Sequence, residues 1–250
     1  MDLVLSSLLL ALPTAVVAVW AWRWGPPRAH WLLMDVAAAF LLFIGAAGLS
    51  GSALCRIFTG AWVPGEGLMM PGVLGTAHAG VLVTLLILRR GRPSALGLAR
   101  GPWWGWGAAA AGIPIFLAVS ASWALAASTL GFDAAPQQML LELSEVPFPD
   151  RWTLILYGSL GAPLVEEILF RGFLLPPLRR SAGEAVAIAV SGLLFGLAHM
   201  SDPFAVLPLV ILGTGLAWLR IRTRSIWPGF FVHAANNSIA LVSSLYGPPF

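Results

Sequence analysis

The 250-residue chain is 58% hydrophobic and only 10% charged, with a mean hydropathy of +0.85. That balance excludes a soluble globular domain of this length and implies a chain that crosses the bilayer several times. Its net charge of +3 rests on arginine with no lysine, and no basic run marks a nucleic-acid partner. The single cysteine, Cys55, excludes an internal disulfide and a cysteine metal cluster.

Taken in order, apolar stretches near the ~20 residues that a bilayer demands fall at 3–22, 31–54, 69–88, 104–130, 152–175, 182–200, 204–219 and 226–246. The first has Asp2 before it and Arg23 after it, the reverse of a signal peptide's basic start, so an uncleaved span is expected. The expected fold is all-α: one polytopic transmembrane domain over 1–250, a bundle of about eight helices. The loops after the first, third, fifth and seventh spans carry Arg23 and Arg28, then Arg89, Arg90, Arg92 and Arg100, then Arg179 and Arg180, then Arg220, Arg222 and Arg224. The intervening loops carry Arg56 and Arg151 alone. The positive-inside rule therefore puts the first group in the cytoplasm and both termini outside, in what reads as a bacterial inner membrane. Between the fourth and fifth spans, Met139, Leu140, Leu143 and Val146 form one helical stripe opposite Glu142 and Glu145, which reads as an amphipathic connector on the membrane surface.

The fifth span holds Ala162-Pro163-Leu164-Val165-Glu166-Glu167-Ile168-Leu169-Phe170-Arg171. Each charge near a bilayer centre costs roughly 2.5–3.5 kcal/mol on insertion scales, so ionisable residues there face the protein interior and usually serve a function. Glu167 and Arg171 are four apart and share a helical face, where they can neutralise each other; Glu166 lies about 100° round the helix. One acid reads as structural and the other as free.

In the sixth span Phe195 and His199 are also four apart, so the ring can pack beside the imidazole; Gly192 and Gly196 give a face that admits a close neighbour. Read alone, a membrane histidine such as His199 is more often an interhelical hydrogen-bonder than a catalyst. The eighth span adds His233 and Asn237 on one face, two polar groups that must face partners or a cavity. A purely structural hydrogen-bond network would use the same residues.

Glu166-Glu167-xxx-Arg171, Phe195-xxx-His199 and His233-xxx-Asn237, in that order on late spans, resemble the motifs of the CAAX protease and bacteriocin-processing (CPBP, or Abi) family of intramembrane endopeptidases, which includes the Ras-converting CAAX endopeptidase. The likeness covers about 157–238. It implies glutamate-dependent peptide hydrolysis in an eight-helix bundle, with the site among the last four helices and a membrane-tethered protein or peptide as substrate: a prenylated tail, a bacteriocin leader or a sorting tail of an exported protein. Peptide hydrolysis needs an activated water, an oxyanion stabiliser and a proton for the leaving amine. Glu166 helped by His199 can supply the first and last, and His233 with Asn237 the second. By the same resemblance Glu167, Arg171 and Phe195 are supporting residues.

Three other readings compete. A zinc hydrolase could take Glu166, His199 and His233 as ligands, but there is no His-Glu-x-x-His and no paired-ligand spacing on one helix, so no cofactor is expected. A rhomboid-type serine protease would use Ser50 in Gly48-Leu49-Ser50-Gly51 with His78, a pattern easily met by chance in a chain with 27 glycines. A non-catalytic membrane binding or immunity protein, or a transporter, would keep the polar cluster to hold a peptide or an ion; no paired inverted halves accompany it.

Overall fold

The computed structural model describes residues 35–45, 47, 80, 96–131, 152, 155–200 and 202–246. The predicted spans at 3–22 and 69–88 (Gly80 apart), the connector at 136–146, and Ser50, Cys55 and His78 lie outside the described residues. The chain divides into two compact units, Met1–Gly91 and Arg92–Phe250. The first includes helix α1, Asp35–Gly45, and residues 47 and 80; the rest of the described structure belongs to the second. Every described element is helical, with no strand among the described residues.

In the second unit, residues 96–102 lead into α2, Trp103–Thr129. This helix buries only Gly105, Ala109 and Ala127 and is apolar on all sides, the pattern of a helix solvated by lipid. Together with α5 it is one of two helices among the described residues that are long and apolar enough to cross a membrane. Helix α3 runs over 157–182 as four consecutive stretches: π-helical Tyr157–Gly161, α-helical Ala162–Glu166, π-helical Glu167–Leu174 and α-helical Leu175–Ala182.

The π turns have a cause in the sequence. Proline lacks an N–H and its ring crowds the carbonyl four residues back, so Pro163 and Pro176 each disturb the ladder one turn upstream. The wider turn accommodates this by bonding five residues back: Ala162 N–H donates to Tyr157 O, and Leu175 N–H donates to Phe170 O. The sequence reading ends the span at 175, before the Pro176-Pro177 pair; in the structure the helix absorbs both prolines and ends at Gly183, whose φ of +84° suits only glycine.

Helix α4, Glu184–Leu197, returns antiparallel to α3 and is followed by a tight turn to α5, Pro203–Thr223. Asp202 caps α5, its carboxylate accepting from Phe204 N at 3.1 Å and Ala205 N at 3.3 Å. The α4–α5 hairpin is closely packed because Gly192 and Gly196 face it. A Cβ on Gly192 would lie 2.8 Å from Thr214 N, and one on Gly196 would lie 2.7 Å from Val206 O. Pro208 inside α5 removes the N–H that Phe204 O would otherwise accept, and the indole of Trp123 on α2 supplies it instead, at 2.8 Å. Helix α6, Trp227–Tyr246, completes the unit. Leu175, Ala187, Ala217 and Ile221 form a core that ties α3, α4 and α5 together below the site.

Candidate active site

The α3–α4 hairpin turns at Gly183, so Glu166, sixteen residues before Ala182, and His199, fifteen after Glu184, reach similar heights of about 22–24 Å at 1.5 Å per residue. Glu166 Oε2 lies 4.0 Å from His199 Nε2 and 3.6 Å from His233 Nε2 on α6. One carboxylate thus faces two imidazoles carried by two other helices. The side chains of Glu166 and His199 are 24% and 35% exposed, whereas His233 is buried.

Local geometry fixes which nitrogen of His199 carries its proton in the neutral ring. The last turn of α4 tightens, so that the backbone N–H of His199 bonds to Gly196 O rather than to Phe195 O. Its Nδ1 then sits 2.9 Å from Phe195 O. A carbonyl only accepts, so Nδ1 donates and Nε2 presents a lone pair towards Glu166. Two acceptors 4.0 Å apart leave space for a donor between them, and a water molecule suits it.

Below this pair lies a fully buried charge cluster. Glu167 Oε1 is 3.1 Å from Arg171 NH1 and 3.4 Å from His233 Nδ1. Arg171 NH2 also donates to Gly213 O on α5, at 3.1 Å. His233 therefore has a carboxylate oxygen beside each ring nitrogen, and a proton on either one finds an acceptor. Phe195 holds these groups in place. Its buried ring stands 5.0 Å from His199, 5.3 Å from His233 and 5.2 Å from Phe170, centroid to centroid, and the Arg171 guanidinium carbon lies 4.4 Å over its face. That last contact is a cation–π interaction, worth about 2 kcal/mol when desolvated.

Glu166, Glu167, Arg171, Phe195, His199 and His233 are thus brought together from α3, α4 and α6. Asn237 lies one turn beyond His233 and donates from Nδ2 to Gly158 O at 3.1 Å, in the first π turn of α3. The sequence reading missed Gly158, Gly213 and Gly229. The carbonyls of Gly158 and Gly213 serve as acceptors, and a backbone acceptor leaves no mark in residue identity. Gly229 had a signal: it precedes His233 by one helical turn, and a Cβ there would come within 3.1 Å of Glu167 Oε2.

This geometry falls within the segment that matches known proteins. Residues 148–239 match the family model described as Type II CAAX prenyl endopeptidase Rce1-like. Over these residues the chain is similar to this peptidase family. A Bacillus subtilis (strain 168) protein named "Putative membrane peptidase YdiL" is 29% identical over 92 residues, which is 37% of this chain and 37% of that protein. The chain thus matches little more than a third of that relative's length; residues 148–239 of the family-model match take in α3 to α5 and the part of α6 that carries His233 and Asn237. No solved structure matches this chain.

Proposed function

We propose that the chain is an intramembrane endopeptidase in which Glu166 activates water to hydrolyse a membrane-associated peptide. The observation that carries this reading is the approach of Glu166 Oε2 to the Nε2 atoms of both His199 and His233, at 4.0 and 3.6 Å, within an otherwise apolar bundle. A water between Glu166 and His199 donates one hydrogen to each. As it attacks the scissile carbonyl, Glu166 takes the proton, and it later returns that proton to the leaving amine. Once protonated, Glu166 no longer competes as an anion for the Nε2–H of His233, which is then free to turn to the oxyanion. The second N–H of Asn237 Nδ2 is available for the same purpose, the first being held by Gly158. Glu167 and Arg171 neutralise each other and hold His233 from behind, so the site is organised before substrate arrives.

The test is cleavage of a panel of membrane-tethered peptides by the detergent-purified protein, comparing wild type with Glu166→Gln and Ser50→Ala, each with and without a strong chelator. The expected result is loss of turnover in Glu166→Gln alone, by a factor of at least about 100 for removal of the acid–base group. Loss with chelator would make Glu166, His199 and His233 metal ligands, and loss in Ser50→Ala would move the chemistry elsewhere. No cleavage by folded wild type would favour a binding role.

A further inference from the structure

We infer that the site opens at the end of the Arg92–Phe250 unit opposite its arginine-bearing turns, so that water and substrate enter from the extracytoplasmic side.

Both basic turns lie at one end of the unit. Glu184 pairs with Arg179 at 2.8 Å and with Arg222 at 3.5 Å, which joins the α3–α4 turn to the α5–α6 turn. Exposed Trp103, Trp104 and Trp106 open α2 at this same end, where a Cβ on Gly105 would meet Thr223 and Pro228. Arginines beside a cluster of tryptophans mark a membrane–water interface, and the arginine excess marks the cytoplasmic one.

That end is closed. The segment before α2 crosses it: Ile226 N–H donates to Gly97 O at 2.9 Å, Trp227 Nε1 donates to Leu98 O at 2.7 Å, and Ser225 Oγ donates to Ala99 O. Leu96 packs beneath Gly172 of α3, and Leu96, Ser225 and Ile226 are all fully buried. Between this plug and the site lie Arg171, Phe173 and Leu175, also buried.

The other end grades towards solvent. Glu167, Arg171 and His233 are buried, whereas the side chains of Glu166 and His199 are 24% and 35% exposed beside the α4–α5 turn. Glu166 lies thirteen residues from Arg179, about 20 Å along the helix. The hydrocarbon core is about 30 Å thick, so the carboxylate lies roughly 10 Å beneath the opposite face. Exposed Leu197 and Met200 flank His199 in the same turn, an apolar surround suited to an extended hydrophobic segment. On the peptidase reading, the substrate is a membrane-attached polypeptide whose scissile bond is presented from the extracytoplasmic side.

The experiment reads the face of access without reading cleavage, so its failure and the failure of the peptidase reading are separate. In a Cys55→Ser background, Met200→Cys and Ser181→Cys are probed in intact bacteria with a membrane-impermeant maleimide. Met200→Cys is expected to label in intact cells and Ser181→Cys only after permeabilisation. Glu166→Cys is then exposed to a charged thiosulfonate in right-side-out and inverted vesicles, with at least about tenfold faster reaction expected from outside. Labelling of Met200→Cys only after permeabilisation, faster or equal reaction of Glu166→Cys from the inside, or no reaction from either side overturns the inference.

Discussion

Arg171→Met tests the buried charge cluster directly. The substitution keeps an unbranched stem but removes the guanidinium, whose NH1 lies 3.1 Å from Glu167 Oε1, whose NH2 donates to Gly213 O at 3.1 Å, and whose carbon sits 4.4 Å over the Phe195 ring. Both side chains of the ion pair are fully buried, so solvent cannot replace either partner. Breaking a buried pair from one side costs about 3–5 kcal/mol, because the remaining charge is stranded. Removing both charges in Glu167→Gln with Arg171→Met leaves no stranded ion, so the double variant is expected to lose at least about 2 kcal/mol less than the sum of the two single losses. That difference corresponds to roughly a 30-fold change in the folding constant, well within reach of tryptophan-fluorescence unfolding curves in detergent. Additivity within about 0.5 kcal/mol would refute the reasoning, because it would mean that the two residues do not neutralise each other.

Phe195→Leu should lower turnover far more than it lowers stability, since leucine fills most of the space but cannot hold both imidazoles and the guanidinium; thermal unfolding measured beside peptide cleavage checks this, and equal loss of both would make Phe195 a packing residue only. Trp123→Phe should cost about 1–3 kcal/mol by leaving Phe204 O without its donor. The same change made with Pro208→Ala should cost clearly less, because residue 208 then offers a backbone N–H to that carbonyl; an unchanged cost in unfolding experiments would show that the proline does not create the need.

Much of the site was legible because it is written in helical spacing. The Glu167–Arg171 pair and the Phe195–His199 contact each join residues four apart, and in the structure they meet at 3.1 Å and 5.0 Å. The packing of the α4–α5 hairpin was visible in Gly192 and Gly196 for the same reason. What spacing could not show was how three helices reach a common level. Straight helices measured from their arginine loops leave Glu166, His199 and His233 at different heights. The structure resolves part of this by starting α4 at Glu184 rather than at 182, and by seating the α5–α6 turn on the backbone of residues 97–99. Such contacts are made by carbonyls and depend on no side-chain signature. Whether a proline such as Pro163 or Pro176 ends, bends or widens a helix is decided by what packs against it.

The first π turn of α3 has a consequence for register. On α6, His233, Asn237 and Leu241 are successive members of one face. Their neighbours on α3 are Glu166 for the first and Gly158 for the other two, Asn237 bonding to its carbonyl and Leu241 lying 3.0 Å from where its Cβ would be. Gly158 and Glu166 are eight residues apart, which in an unbroken α-helix sets them about 80° out of phase. The extra residue held in the Tyr157–Gly161 turn takes up roughly 100° of that rotation and leaves them within about 20° of one line. Pro163 therefore does more than interrupt a ladder: it acts as a phase corrector, letting a single face of α6 read two levels of α3 at once.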